Sequence, residues 1–180
     1  MRFVAFGKEK KKSSNFFDIE KYINDVELNL SQYPTLMKQI ETIHLTKKDL
    51  AVLKQLQPYV EEHITTMVDE FYSALSLNTN LVDLINNHSR IERLKITLHK
   101  HIKEIFDCKV NPQYIENRKI IAITHVRIGL ESHWYLASFQ SLMSSFNKLI
   151  LTLEISKEDT LLAINAFSKI LNLEQQLVIQ

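Results

Sequence analysis

Apolar residues recur at intervals of three and four through most of this chain, the spacing that lines one face of an α-helix. The clearest run is Ile64, Met67, Val68, Phe71, Tyr72 and Leu75, which predicts a helix ending near Leu77. Pro58 suits the first turn of that helix, because the amide a proline lacks is unpaired there anyway. Upstream, Thr46-Lys47-Lys48-Asp49 is a capping box whose hydroxyl and carboxylate satisfy free amides, and it opens a separate helix to Gln57. Pro34 opens another through Ile43, while Phe17 to Leu30 recurs too irregularly to define an element.

Further along, Ser89-Arg90-Ile91-Glu92 forms a second capping box ahead of Leu94, Leu98, His101, Ile102 and Ile105 on one face, with Thr97 on that same face. Asn111-Pro112 reads as cap and first helical residue, and Gly129 suits the left-handed position just past a helix end. The helix between them carries His125. Ser132 caps a helix through Leu153, and Ser156 with Asp159 makes a third box for a helix reaching the C-terminus. About seven helices result, without internal repeats.

Composition narrows the class. With 180 residues and 45% apolar content the chain can bury one core, which points to one domain. Two glycines and three prolines are too few for a many-stranded sheet, so the fold class is all-α. The 22 basic and 21 acidic residues nearly cancel, leaving no electrostatic footprint for nucleic acid or an anionic membrane. Residues 1–15, rich in lysine, serine and asparagine, read as a disordered basic tail ahead of a domain over 16–180. Cys108, the single cysteine, allows neither an internal disulfide nor a zinc cluster, as suits a reducing compartment. No apolar run approaches a spanning helix or a signal peptide, so a cytoplasmic protein is expected.

Candidate chemistry is sparse. No glycine-rich phosphate loop or nucleophile elbow exists, which leaves hydrolase and nucleotide-binding readings without a motif. His99 and His101, two apart, point to different faces, and no zinc spacing is present. His125 shares an apolar face with Ile121, Ala122 and Ile128, as either a hydrogen-bonded core residue or a metal ligand. Tyr72 and Thr97 offer hydroxyls on apolar faces, for a bound ligand or for backbone and rim water. Trp134-Tyr135 supplies an aromatic wall and an oxygen for an imidazole nitrogen, or simply core packing. His88 sits in a polar stretch, exposed or reaching a ligand carboxylate. In the last two helices, Leu142, Phe146, Leu149, Leu162, Ala166 and Ile170 belong to broad apolar faces, suited to a four-helix bundle with a second copy or to burial within one domain.

The tracts Gln55-Leu56-Gln57-Pro58, Asp69-Glu70-Phe71-Tyr72, Leu94-Lys95-Ile96-Thr97-Leu98, His125-Val126-Arg127-Ile128-Gly129-Leu130, Trp134-Tyr135 and Ile170-Leu171-Asn172-Leu173-Glu174-Gln175-Gln176-Leu177 resemble those of globin-coupled sensors, the heme-based domains that head bacterial aerotaxis transducers. The resemblance covers about Met37 to the C-terminus. It implies a globin fold with an additional N-terminal helix and a reduced fourth helix, binding heme b. His125 is then the proximal iron ligand, Tyr72 and Thr97 hydrogen-bond a gas on the distal side, and Tyr135 lies beside the proximal histidine. Phe71, Leu94, Leu98 and Trp134 complete the pocket, and His88 is a candidate propionate contact. The expected function is non-enzymatic sensing: reversible O2 binding, with CO or NO as other gases, coupled to rearrangement of a homodimer, in either a single-domain sensor or one read by an output domain beyond Gln180. A heme-free interaction module, oxygen storage and heme-based turnover of nitric oxide are the alternatives.

Overall fold

The computed structural model describes residues 15–179, so the expected basic tail lies almost wholly outside the described part. Eight helices run in order: α1 Ile19–Tyr22, α2 Pro34–Thr42, α3 Lys47–Leu75, α4 Thr79–His88, α5 Ile91–Asp107, α6 Pro112–Ile128, α7 Ser132–Thr152 and α8 Lys157–Ile179. Two-residue strands β1 (Glu27–Leu28) and β2 (Lys109–Val110) pair in parallel, tying the leader to the α5–α6 connection. The leader is also pinned by its amides: Asp18 N–H donates to Gln55 Oε1 at 2.8 Å and Phe16 N–H to Asp159 Oδ2 at 3.1 Å.

Several expected boundaries need correction. Pro58 does not open a helix; it lies inside α3, which runs unbroken across it. The missing amide and the ring clash cost about 3 kcal/mol. Leu53, Leu56 and Val60, however, lie on a buried face that continues through the proline, and burying each such side chain contributes about 1.5–3 kcal/mol. Pro58 itself is exposed, so solvent can reach the ladder where its amide is missing. The polar stretch holding His88 is the end of a helix the spacing did not define, α4, capped by Asn78, whose Oδ1 accepts from Asn80 and Leu81 amides at 3.0 and 3.3 Å. Ser89 therefore ends α4 rather than boxing α5, whose own cap Arg90 makes no side-chain bond. Ser132 is already inside α7, whose cap Glu131 likewise makes none. The Thr46–Asp49 box, the Asn111 cap and left-handed Gly129 (φ 75°) form as expected.

The long α3 packs against α5, α7 and α8, and α8 also packs against α6 and α7. At the centre, Phe146 and Phe167 stack with ring centroids 3.9 Å apart, and Phe106 joins them at 5.6 Å from Phe167. Because α8 has neighbours on three sides, most of its broad apolar circumference is covered within this chain: Ala166, Phe167, Ile170, Leu171, Leu173 and Leu177 are all buried. Large apolar residues left exposed near the α7–α8 corner are Leu151, Leu161 and Leu162. No helix among the described residues is long and apolar enough to cross a membrane.

Candidate functional site

Helices α5 and α6 are joined through residues 108–111, and their fully buried side chains lie near that join. Cys108, in the left-handed region at φ 57°, makes the turn; burial pushes its thiol up to about 12 and so leaves it unreactive. Next to the join, Ile102, Ile105 and Phe106 of α5 and Tyr114, Ile115 and Arg118 of α6 are buried. Arg118 Nη1 donates to Glu104 Oε2 at 2.6 Å, which turns these faces of the two helices toward each other.

Helical periodicity then orients the rest. Leu94, Thr97 and Leu98 stand one and two turns before His101 on α5, and Ile121, Ala122 and His125 stand one and two turns after Arg118 on α6. Away from the join, these apolar side chains are only half-buried: Leu94, Leu98, Ile121 and Ala122 rest on the core without being covered by it. The two helices thus present partly uncovered apolar walls, with a histidine on one of them.

His125 is the most unusual group in those walls. Its Nδ1 is buried without a hydrogen-bond partner. Burial, with help from the nearby His101, lowers its pKa to about 4, so the imidazole is neutral at ordinary pH. Tyr135 of α7 lies against it, ring centroids 5.0 Å apart, and the Tyr135 hydroxyl is also buried and unpartnered. Burial raises the pKa of that phenol, so it remains a neutral donor. A buried polar atom left unpaired costs about 1–3 kcal/mol, and two occur here side by side.

Other expected residues fall into place unevenly. Tyr72 is buried near the end of α3, its ring edge-on to that of Phe71 at 5.2 Å, and burial raises its hydroxyl pKa. Thr97 lies on the expected side of α5 but is exposed, and its hydroxyl donates to Arg93 O at 3.1 Å. Trp134 is half-buried and lines a groove with Leu75, Leu81 and Ala137, between α3, α4 and α7. His88 is exposed at the end of α4.

A buried charge cluster beneath His125 has no counterpart among the expected site residues. Fully buried Glu174 of α8 accepts from Arg118 Nε at 3.0 Å through both oxygens, from the Tyr114 hydroxyl, and shares a 2.6 Å hydrogen bond with His101 Nε2. Burial raises the Glu174 pKa against the opposing pull of His101, and lowers that of Arg118 against the pull of Glu104. The available signal was charge on apolar faces: Glu174 sits between Ile170 and Leu177, and Arg118 between Ile115 and Ile121.

Taken together, the helix order and the histidine-bearing α6 facing α5 define a globin fold. The chain matches the Protoglobin family over residues 32–180 and belongs to it. It is similar in structure to the globin domain of a globin-coupled sensor from Geobacter sulfurreducens, with a TM-score of 0.74 and 21% identity. That match covers 79% of this chain and 94% of the other.

Proposed function

We propose that this domain is a heme-based gas sensor, with His125 as the proximal ligand of heme b. The observation that carries the reading is His125 itself: a neutral, half-buried imidazole whose buried Nδ1 has no hydrogen bond, set in the less-covered part of two apolar helix faces. These residues fit the group. A ferrous heme bound there would supply an iron site for reversible binding of O2, or of CO and NO.

The chain's own part is to bind and orient. Leu94, Leu98, Ile121 and Ala122 exchange water for an apolar surface, while Phe71 and Trp134 are assigned to the lining on the sequence resemblance, Trp134 from the neighbouring groove between α3, α4 and α7. Neutral His125 offers a lone pair without first losing a proton, and the Tyr135 hydroxyl, whose ring lies against the imidazole, is the neighbouring group that would accept the Nδ1 proton once the two come within hydrogen-bond reach. Tyr72 and Thr97 are the hydroxyl donors for a bound gas; Thr97 first has to release Arg93 O. His88 remains the candidate partner for a propionate from the rim. Oxygen is the preferred gas and the domain is cytoplasmic and non-catalytic. A homodimer through α7 and α8 carries the signal to an output domain, with Leu151, Leu161 and Leu162 as the exposed apolar residues available to it.

The test is the absorption spectrum of the purified protein after heme addition, in ferrous form and under O2 and CO. The reading predicts stoichiometric uptake and an intense Soret band that shifts with each gas. Absence of uptake would leave a heme-free interaction module. Sustained NO consumption with an electron donor would make the protein an enzyme instead.

A further inference from the structure

We infer that Glu174 is a positioning residue that sets the separation of α5 and α6 and so the width of the slot between them. The inference deepens the heme reading, and rests on it only for the consequence that slot width governs heme retention.

Glu174 is the one carboxylate, among the described residues, bonded to both slot-forming helices from a third. Its Oε2 meets His101 of α5, and both oxygens meet Arg118 of α6, while α8 is itself anchored on α3 and α7. These contacts lie where the buried ends of α5 and α6 give way to their half-buried ends. His101 is one turn from Thr97 and Arg118 is two turns from His125, so a small displacement at Glu174 is carried along stiff helices to both walls.

Chemistry also favours a position-setting role over a simply adhesive one. A buried ion pair is weak evidence for stability, since apolar residues of similar size do as well, but it demands particular geometry. The guanidinium is planar and stacks on the Tyr114 ring at 3.7 Å, which fixes its plane, and its Nε is shared between two carboxylate oxygens. Glu104 takes a second arm of the same guanidinium from α5, closing the set of three helices around one residue.

The experiment measures the slot directly in heme-free protein. Spin labels are placed on Ile96→Cys of α5 and Ile123→Cys of α6, both exposed, while Cys108 is fully buried and does not compete for label. Their distance distribution is compared for the otherwise native chain, for Glu174→Gln, and for the paired change Arg118→Met with Glu174→Leu. The paired variant keeps most of the volume and removes the fully buried ion pair, and circular dichroism checks that each variant is folded before its distances are read. The expected result is a broader, displaced distribution in every folded variant, accompanied by heme loss accelerated about tenfold or more. Folded variants with the native distribution would overturn the inference, reducing the cluster to structural filling. If the native chain takes up no heme while the distances still shift, the positioning role stands and only the heme reading falls.

Discussion

The two ends of the α5–α6 pair are built on opposite principles. Near the join, Ile105 is buried and Phe106 packs against the Phe146–Phe167 stack, and every strong polar group has a partner in the Glu174 cluster apart from Arg118 Nη2. Away from it, apolar side chains are half-covered, Ile96, Ile123 and Val126 are exposed, and His125 and Tyr135 hold buried polar atoms without partners. The first end has satisfied nearly all of its own chemistry and holds the helices in place. The second has left its chemistry unfinished, which is the mark of a place meant to receive something.

Substitutions can break this contrast. The largest effect is expected at the packed end: Phe106→Ala should cost the heme-free protein about 3–5 kcal/mol in chemical denaturation. A value near 1 kcal/mol would mean the join is not the anchor.

The histidine at the open end gives a pH signature in heme-free protein. Below pH 6.5 the unfolded chain takes a proton on His125, while the folded chain resists until about pH 4. Stability contributed by neutral burial is therefore present above pH 6.5 and is lost on falling toward pH 4, by about 2–3 kcal/mol. The difference in unfolding free energy between the native chain and His125→Gln, measured across that range, should show this slope; a flat difference would place His125 in solvent.

On the distal side, Tyr72→Phe or Thr97→Ala should raise the O2 dissociation rate of heme-loaded protein about two- to tenfold, the size of one neutral hydrogen bond. If both leave stopped-flow rates unchanged, neither hydroxyl serves the gas. The smallest effect is expected for Leu94→Ala without heme, under about 1 kcal/mol, because the side chain is only half-buried and little cavity is created. Heme addition should enlarge that cost, and an unchanged cost would remove Leu94 from the slot.

Much of the frame was legible in the sequence because local physics sets it. Few glycines, three-and-four spacing and the caps at Thr46, Asn111 and Gly129 act within a few residues of chain. Pro58 misled because its penalty is local, whereas the burial that overrides it comes from α5, α7 and α8. Helix α4 was hidden by Asn86-Asn87-His88, since Leu81 is its one fully buried side chain. The pairing of His125 with Tyr135 was anticipated. The Glu174 cluster was not, because its members are scattered from His101 to Glu174 and only folding brings them together. The α8 stripe was legible as apolar, but not the fact that three neighbouring helices would cover most of it.

The central claim is that the His125 imidazole is what this site offers to heme iron. Replacing His125 by glycine and adding heme with and without free imidazole tests it most directly. Weak uptake and an altered Soret band are expected in the variant, with the native spectrum restored as imidazole fills the vacated place. Native-like uptake and spectrum in His125→Gly without imidazole would contradict it, and would assign the ligand to another residue.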